Sequence, residues 1–150
     1  FKYYNSILIS MKIMIVGSMA FSSEMLETKK KLEEKGHSVL VPLDTEKIVN
    51  DSTLVNDMDA DLKHCIETNM IKKCFDLVAE SDAILVLNHK KNNIPGYIGT
   101  SALMEIGLAH FLEKKIFLLN KIPDYHEVRW AHEVHMINPQ VINGELGKIE

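Results

Sequence analysis

Only one arginine, Arg129, occurs among 150 residues. Such scarcity excludes recognition schemes built on several planar guanidinium forks around phosphates. Cysteine is nearly as rare. Cys65 and Cys74 cannot form a disulfide framework, and their spacing matches no common zinc pattern. A reducing cytoplasm is the compartment this usage leads one to expect. No apolar run reaches the roughly 18 residues that a membrane span requires, so no membrane partner is expected. The chain also lacks a Gly-x-Gly-x-x-Gly fingerprint, a Walker A loop and a Gly-x-Ser-x-Gly elbow. Net charge is −4, from 17 basic and 21 acidic side chains, which argues against a broad nucleic-acid-binding face.

What is present is a core-forming composition, 46% apolar and 25% charged, in a length that suits one domain. Folding at this size buries roughly 70% of the unfolded chain's surface without disulfides or metals. The first ten residues stand apart. Met11 opens Met-Lys-Ile-Met-Ile-Val-Gly, a far better strand than anything before it. Residues 1–10 are therefore expected to be an extension, native or not, that is disordered or packed at an edge, with the domain occupying 11–150. Ile7-Leu8-Ile9 is too short for a signal-peptide core, and no small-residue cleavage site follows.

Strand and helix signals then alternate. Ile13–Val16 is a compact apolar run ending at Gly17, as expected of a strand buried on both faces. Ser22 or Ser23 is placed to cap a helix carrying Met25, Leu26 and Leu32, and Gly36 to stop it. Ser38–Leu43 reads as a second strand, and Thr45–Asp59 as a loop with a short helix. From Ala60 to Glu80, Leu62, Cys65, Ile66, Met70, Cys74, Leu77 and Val78 recur at helical steps, which predicts one long amphipathic helix. Ala83–Leu87 is a third strand, Thr100–Glu113 a helix, Ile116–Leu119 a fourth strand, Tyr125–His135 a last helix and Val141-Ile142 a possible fifth strand. Short apolar strands separated by helices imply a parallel sheet covered on both faces. The expected fold is one three-layer α/β domain, an open parallel sheet of four to five strands of the flavodoxin or Rossmann kind.

Ligands of such sheets bind beyond the carboxyl ends of the strands, where the strand order reverses. That rule selects the loops Gly17–Phe21, Asn88–Ser101 and Asn120–Asp124. In the first, Gly17 permits close backbone approach, and Ser18, Ser22 and Ser23 offer hydroxyls near a helix start, suited to phosphate or sugar oxygens or simply to capping. The second contains Pro95-Gly96-Tyr97-Ile98-Gly99-Thr100-Ser101, and Glu105 follows about one turn into the helix. Glu105 stands among Leu103, Met104, Ile106 and Leu108. It is either a buried acid that needs a purpose or an exposed residue favoured by the helix dipole. Gly107 and Ala109 are expected to let this helix pack closely on the sheet.

Gly17-Ser18, Ser81-Asp82-Ala83-Ile84-Leu85-Val86 and Glu105-Ile106-Gly107-Leu108-Ala109, followed by Lys114-Lys115-Ile116, together resemble the nucleoside 2-deoxyribosyltransferase superfamily, which includes the deoxynucleoside-monophosphate N-glycosidases. The resemblance runs from Met11 to Leu119. It implies that Glu105 is the nucleophile for an N-glycosidic bond and that Asp82 helps to hold the sugar. It also implies that Gly17 and Ser18 line the sugar or its 5′-phosphate. Where the family often has an aromatic residue near the site this chain has Met19, for which Tyr97 is the expected substitute, and Gly99 and Ser101 complete the expected substrate site, Ser101 toward the phosphate. An oxocarbenium-like transition state suits a nearby carboxylate, which can form a glycosyl ester that water or a second base resolves. A small nucleoside or nucleotide is the implied ligand, with no metal or organic cofactor, and a homo-oligomer is the implied assembly. The family's transferases carry an aspartate six residues before the nucleophile, where this chain has Gly99. Base exchange is therefore less expected than cleavage. Pro95-Gly96-x-x-Gly99-Thr100 also resembles, in part, the loop of cytokinin-activating phosphoribohydrolases, which act on the same bond class. A nucleotide-binding or sensing domain without turnover is the alternative from another class.

Asp57-x-Asp59-x-Asp61 lacks the glycine and glutamate of a calcium loop and reads as a helix cap. His126, His132 and His135 lack further zinc ligands and read as surface histidines. Cys65 and Cys74 read as buried free thiols. Lys90-Lys91 lies beside the expected site, where it would attract a phosphate or remain solvated. Trp130 either anchors a subunit contact or caps the core.

Overall fold

A computed structural model describes residues 9–150. The expectation for residues 1–10 thus falls largely outside the described residues; at its end, Ile9 is exposed and the Ser10 hydroxyl donates to the Gly36 carbonyl at 2.7 Å. The elements follow in the order β1 (Lys12–Val16), α1 (Ser22–Glu34), β2 (Ser38–Leu40), α2 (Thr45–Asn50), α3 (Met58–Glu67), α4 (Met70–Ala79), β3 (Ala83–Val86), α5 (Thr100–Phe111), β4 (Lys115–Leu118), α6 (Ala131–Ile137) and β5 (Gln140–Val141). All strand pairings are parallel, in the spatial order β2-β1-β3-β4-β5. This is the flavodoxin-like order, and its reversal point lies between β1 and β3.

Alternation along the strands builds two cores. Met14, Val16, Ile84, Val86, Ile116 and Leu118 face α4, α5 and α6. Ile13, Ile15, Ala83, Leu85 and Phe117 point the other way, toward Met25 and Leu32 of α1. The central strands are buried on both sides, which is why they read as continuous apolar runs. The expected three-layer architecture is what the chain forms.

Local differences have physical causes. The single helix expected over 60–80 is two, broken at Asn69, which adopts the left-handed φ of 52°. Asparagine tolerates that conformation better than most residues. The break also rotates the first half of the apolar stripe away from the core, leaving Leu62 and Ile66 exposed. β2 stops at Leu40 because Pro42 cannot donate to a sheet ladder. The last helix begins at Ala131, not Tyr125. Neither Ser22 nor Ser23 caps α1; Ser18 instead caps a short 3-10 turn over Met19–Phe21 that leads into it.

Candidate functional site

The strand order reverses between β1 and β3, the point at which sheets of this kind form a crevice, and most of the expected residues stand on the segments that follow that carboxyl edge. Gly17 ends β1 where a Cβ would come within 3.1 Å of the Leu87 carbonyl and 3.4 Å of the Met25 methyl, so glycine allows the two strand ends to meet. Ser18 follows. Its hydroxyl accepts from the Ala20 N–H at 3.3 Å and from the Lys91 ammonium at 2.8 Å. Lys91 thereby bridges the loops after β1 and β3, and it also sits 5.3 Å from the centre of the Tyr97 ring. The Tyr97 ring in turn lies across Gly99, with its hydroxyl 3.8 Å from where a Cβ would project. Ser101 is exposed in the first turn of α5.

Glu105 is the outlier among these residues. On α5 the residues Ala102, Glu105, Ile106 and Ala109 share the sheet-facing side, and Glu105 is only 8% exposed. Helical side chains lean toward their own N-terminus, and α5 starts at the crevice, so its carboxyl group leans that way. Burial pushes it up from the ordinary carboxylate range to about 7, and among the described residues no cation or hydrogen-bond donor offsets that burial. The Cys74 thiol of α4 lies within electrostatic reach of Glu105 and is itself pushed up to about 11, mainly by burial and then by that carboxylate. An exposed, dipole-stabilised Glu105 is therefore not what the fold makes.

Two expected site residues are placed elsewhere. Asp82 precedes β3, at the amino edge, and is separated from the crevice by the strand's length, on the order of 13 Å at about 3.3 Å per residue. Its carboxylate accepts from the Lys12 N–H at 2.8 Å, its own N–H donates to the Lys12 carbonyl at 2.7 Å, and its carbonyl accepts from Lys115 at 3.3 Å. Asp82 is a clamp on the start of three strands and cannot hold a sugar at the opposite edge. Met19 packs against the core on the α1 side, away from the face that carries Glu105. Gly107 also differs from expectation, since a Cβ there would meet open space and the residue is exposed.

Sequence reading passed over two residues at this edge. Asn88, fully buried just after β3, donates through its side-chain amide to the Asn120 carbonyl at 2.8 Å and accepts the Asn120 N–H at 2.8 Å. The pair locks the ends of β3 and β4 together. A polar residue directly after an apolar strand was the available signal. His89 comes next; its Nε2 is buried without a partner and its ring meets Phe21 edge-on at 5.2 Å.

Three hollows open around the edge. One of about 250 Å³ lies between Asn93–Pro95 and Lys121–Asp124. A second, of about 370 Å³, has Glu24, Lys31, His89 and Asn120 on its walls. The third, of about 280 Å³, lies beyond β2 next to Asp44 and His64. Glu105 lines none of the three. Among the described residues, no three His, Cys, Asp or Glu side chains are grouped to hold a metal ion, and no helix is long and apolar enough to cross a membrane. Cys74 is buried, as expected, but Cys65 is only half-buried, its thiol 3.9 Å from Asp61. Asp57 caps α3 through the N–H groups of Asp59 and Ala60.

No family model and no curated protein matches the chain. Among solved structures it is similar to the CMP N-glycosidase BcmB of Clostridium botulinum, at 20% identity, with 87% of this chain and 84% of that one covered and a TM-score of 0.44.

Proposed function

We propose that the protein cleaves the N-glycosidic bond of a nucleoside 5′-monophosphate, with Glu105 as the nucleophile and water as the acceptor. The observation that carries this reading is the carboxyl group buried on the sheet side of α5, without a hydrogen-bond partner among the described residues, in the helix that starts at the edge where the strand order reverses. A group so placed is costly to ionise and has no structural partner to justify it. Once ionised, it is a poorly solvated carboxylate suited to a carbon that becomes positive as the bond breaks. One Glu105 oxygen forms a bond to C1′ while the C1′–N pair leaves with the base. Water then attacks the ester and restores the carboxylate, releasing the sugar phosphate.

Lys91 and Ser18 support the choice of a phosphate-bearing substrate. Their 2.8 Å contact places a cation and a hydroxyl together where β1 ends. Tyr97 offers a ring face for the sugar or base. Gly99, where a base-serving aspartate would assist exchange, favours hydrolysis over transfer.

The test is incubation with deoxynucleosides and ribonucleosides and their 5′-monophosphates, reading free base by chromatography. Base release from monophosphates, at least a thousandfold lower in Glu105→Ala, is the expected result. Tight binding without release, unchanged by that substitution, would replace the enzyme with a nucleotide sensor. A second free base in the mixture separates the acceptors, because only transfer yields a new nucleoside.

A further inference from the structure

Lys91 owes its place to a turn that the chemistry above leaves unused. Asn92 and Asn93 both adopt left-handed backbone, at φ 51° and 61°. Two such residues in succession make the tight turn of a two-residue hairpin, and Lys91 and Ile94 close it from either side. The Ile94 N–H donates to the Lys91 carbonyl at 2.9 Å, and the Lys91 N–H to the Ile94 carbonyl at 3.2 Å. Beyond the hairpin the loop is pinned as well. The Tyr97 N–H donates to the His89 carbonyl at 3.2 Å, and a Cβ on Gly96 would come within 2.4 Å of the Lys121 carbonyl. Both asparagines are exposed at the tip, where their backbone is what matters: asparagine enters the left-handed region at less cost than most residues with a side chain.

We infer that this turn gives the site its preference for a phosphate, with Asn92 and Asn93 as positioning residues that hold the Lys91 ammonium beside Ser18. The inference rests on the monophosphate reading and names the segment that enforces it. The Ser18 hydroxyl oxygen already accepts twice, from the Ala20 N–H at 3.3 Å and from the Lys91 ammonium at 2.8 Å, so its proton is left to donate. Lys91 keeps two further N–H groups, and among the described residues it makes no ion pair with a carboxylate. The centre of the Tyr97 ring, 5.3 Å from the same nitrogen, further restricts where the ammonium can go. Donors on two loops, one of them charged and none matched to an acidic side chain, fit the oxygens of a phosphate monoester, which only accept. A lysine on a free loop would reach such an anion from many places; fixing its backbone ties the charge to one.

The test replaces both asparagines together. Asn92→Val with Asn93→Val puts β-branched side chains where φ is positive and opens the turn, whereas Asn92→Gly with Asn93→Gly keeps it. On a nucleoside 5′-monophosphate the valine pair is expected to raise KM about tenfold with kcat within about threefold of wild type, while the glycine pair stays within about twofold in both. An unmoved KM in the valine pair, or an equal rise in the glycine pair, overturns the role. If the valine pair does not fold, Asn93→Ala is the milder change at the same φ, with a KM rise of about threefold expected and no rise overturning the role. Should the wild type release no base from any substrate, the glycosidic reading falls by itself and the turn is judged by binding of inorganic phosphate, read from the backbone amide resonances of Ser18 and Lys91. Saturable shifts are expected in wild type and in the glycine pair, with roughly tenfold weaker binding in the valine pair. No shift in wild type, or equal binding in all three, overturns it.

Discussion

Asn88 and Glu105 are both buried polar residues near the same edge of the sheet, and the fold treats them in opposite ways. Asn88 is wholly enclosed, and its amide is matched to Asn120 through a donor and an acceptor at 2.8 Å each. Glu105 has nothing comparable, and burial alone pushes its carboxyl group to about 7. A shift of that size corresponds to about 3 kcal/mol withheld from the charged form. The chain can evidently satisfy a buried polar group when architecture requires it. Glu105, further along the chain, has no such partner among the described residues, yet its oxygens are not fully enclosed as His89 Nε2 is. A buried carboxyl group still reached at its tip suits chemistry, where stability and activity pull in different directions.

The strongest way to break this contrast is to neutralise Glu105 without changing its shape. Glu105→Gln is expected to lose base release by a thousandfold or more while making the protein more stable at pH 8. The sign follows from its folded-state pKa of about 7, raised from 4.5. Below pH 4.5 both folded and unfolded chains hold the proton, and the wild type carries no penalty. As pH rises toward 7, the unfolded chain releases the proton first, so wild-type stability falls through that window. The variant is therefore expected to gain up to about 3 kcal/mol at pH 8 and almost nothing at pH 4, as read by urea midpoints. A variant that is inactive yet no more stable at pH 8 would separate the burial of Glu105 from its role. The same group predicts that wild-type kcat/KM climbs with pH through about 7, because only the carboxylate attacks.

The other side of the contrast is expected to respond by weakening. Asn88→Ala removes both side-chain bonds to Asn120 and strands its half-buried partners. A loss of about 2–3 kcal/mol follows, nearly independent of pH between 5 and 8. A pH-dependent loss would mean that the Asn88 clamp and Glu105 are coupled rather than separate.

These two residues also show what was legible in advance. The sheet was readable because each central strand is an apolar run with no competing reading, and the crevice followed from topology alone. Glu105 was singled out, but its burial was not decidable from spacing, since α5 has apolar residues on every side of it. Asp82 was misplaced because its role came from the family resemblance against the topological rule: it precedes β3 and so stands at the amino end, where its carboxylate is occupied by the Lys12 N–H. The long helix failed for a different reason. Apolar periodicity continued unbroken across Asn69, and only the left-handed backbone there reveals that Leu62 and Ile66 turn outward.

The smallest expected change sharpens the contrast most finely. Gly99 caps α5 with extended backbone at φ −78° and ψ 169°, a conformation open to any residue, and a Cβ there would make only ordinary contact with the Tyr97 ring. Glycine is thus not required by the chain. Gly99→Asp should fold normally and gain a few tenths of a kcal/mol, because its carboxylate can accept from the free N–H groups of the first helical turn. It also adds negative charge at the mouth of the Glu105 site, which would push Glu105 further up and move the rising limb of kcat/KM to higher pH. New nucleoside formation from an added base is the further readout, since an acid six residues before the nucleophile is what base exchange was expected to need. A normal fold with an unmoved pH limb would place the mouth of α5 outside the electrostatic reach of Glu105, and the crevice would then have to be approached from the α4 side.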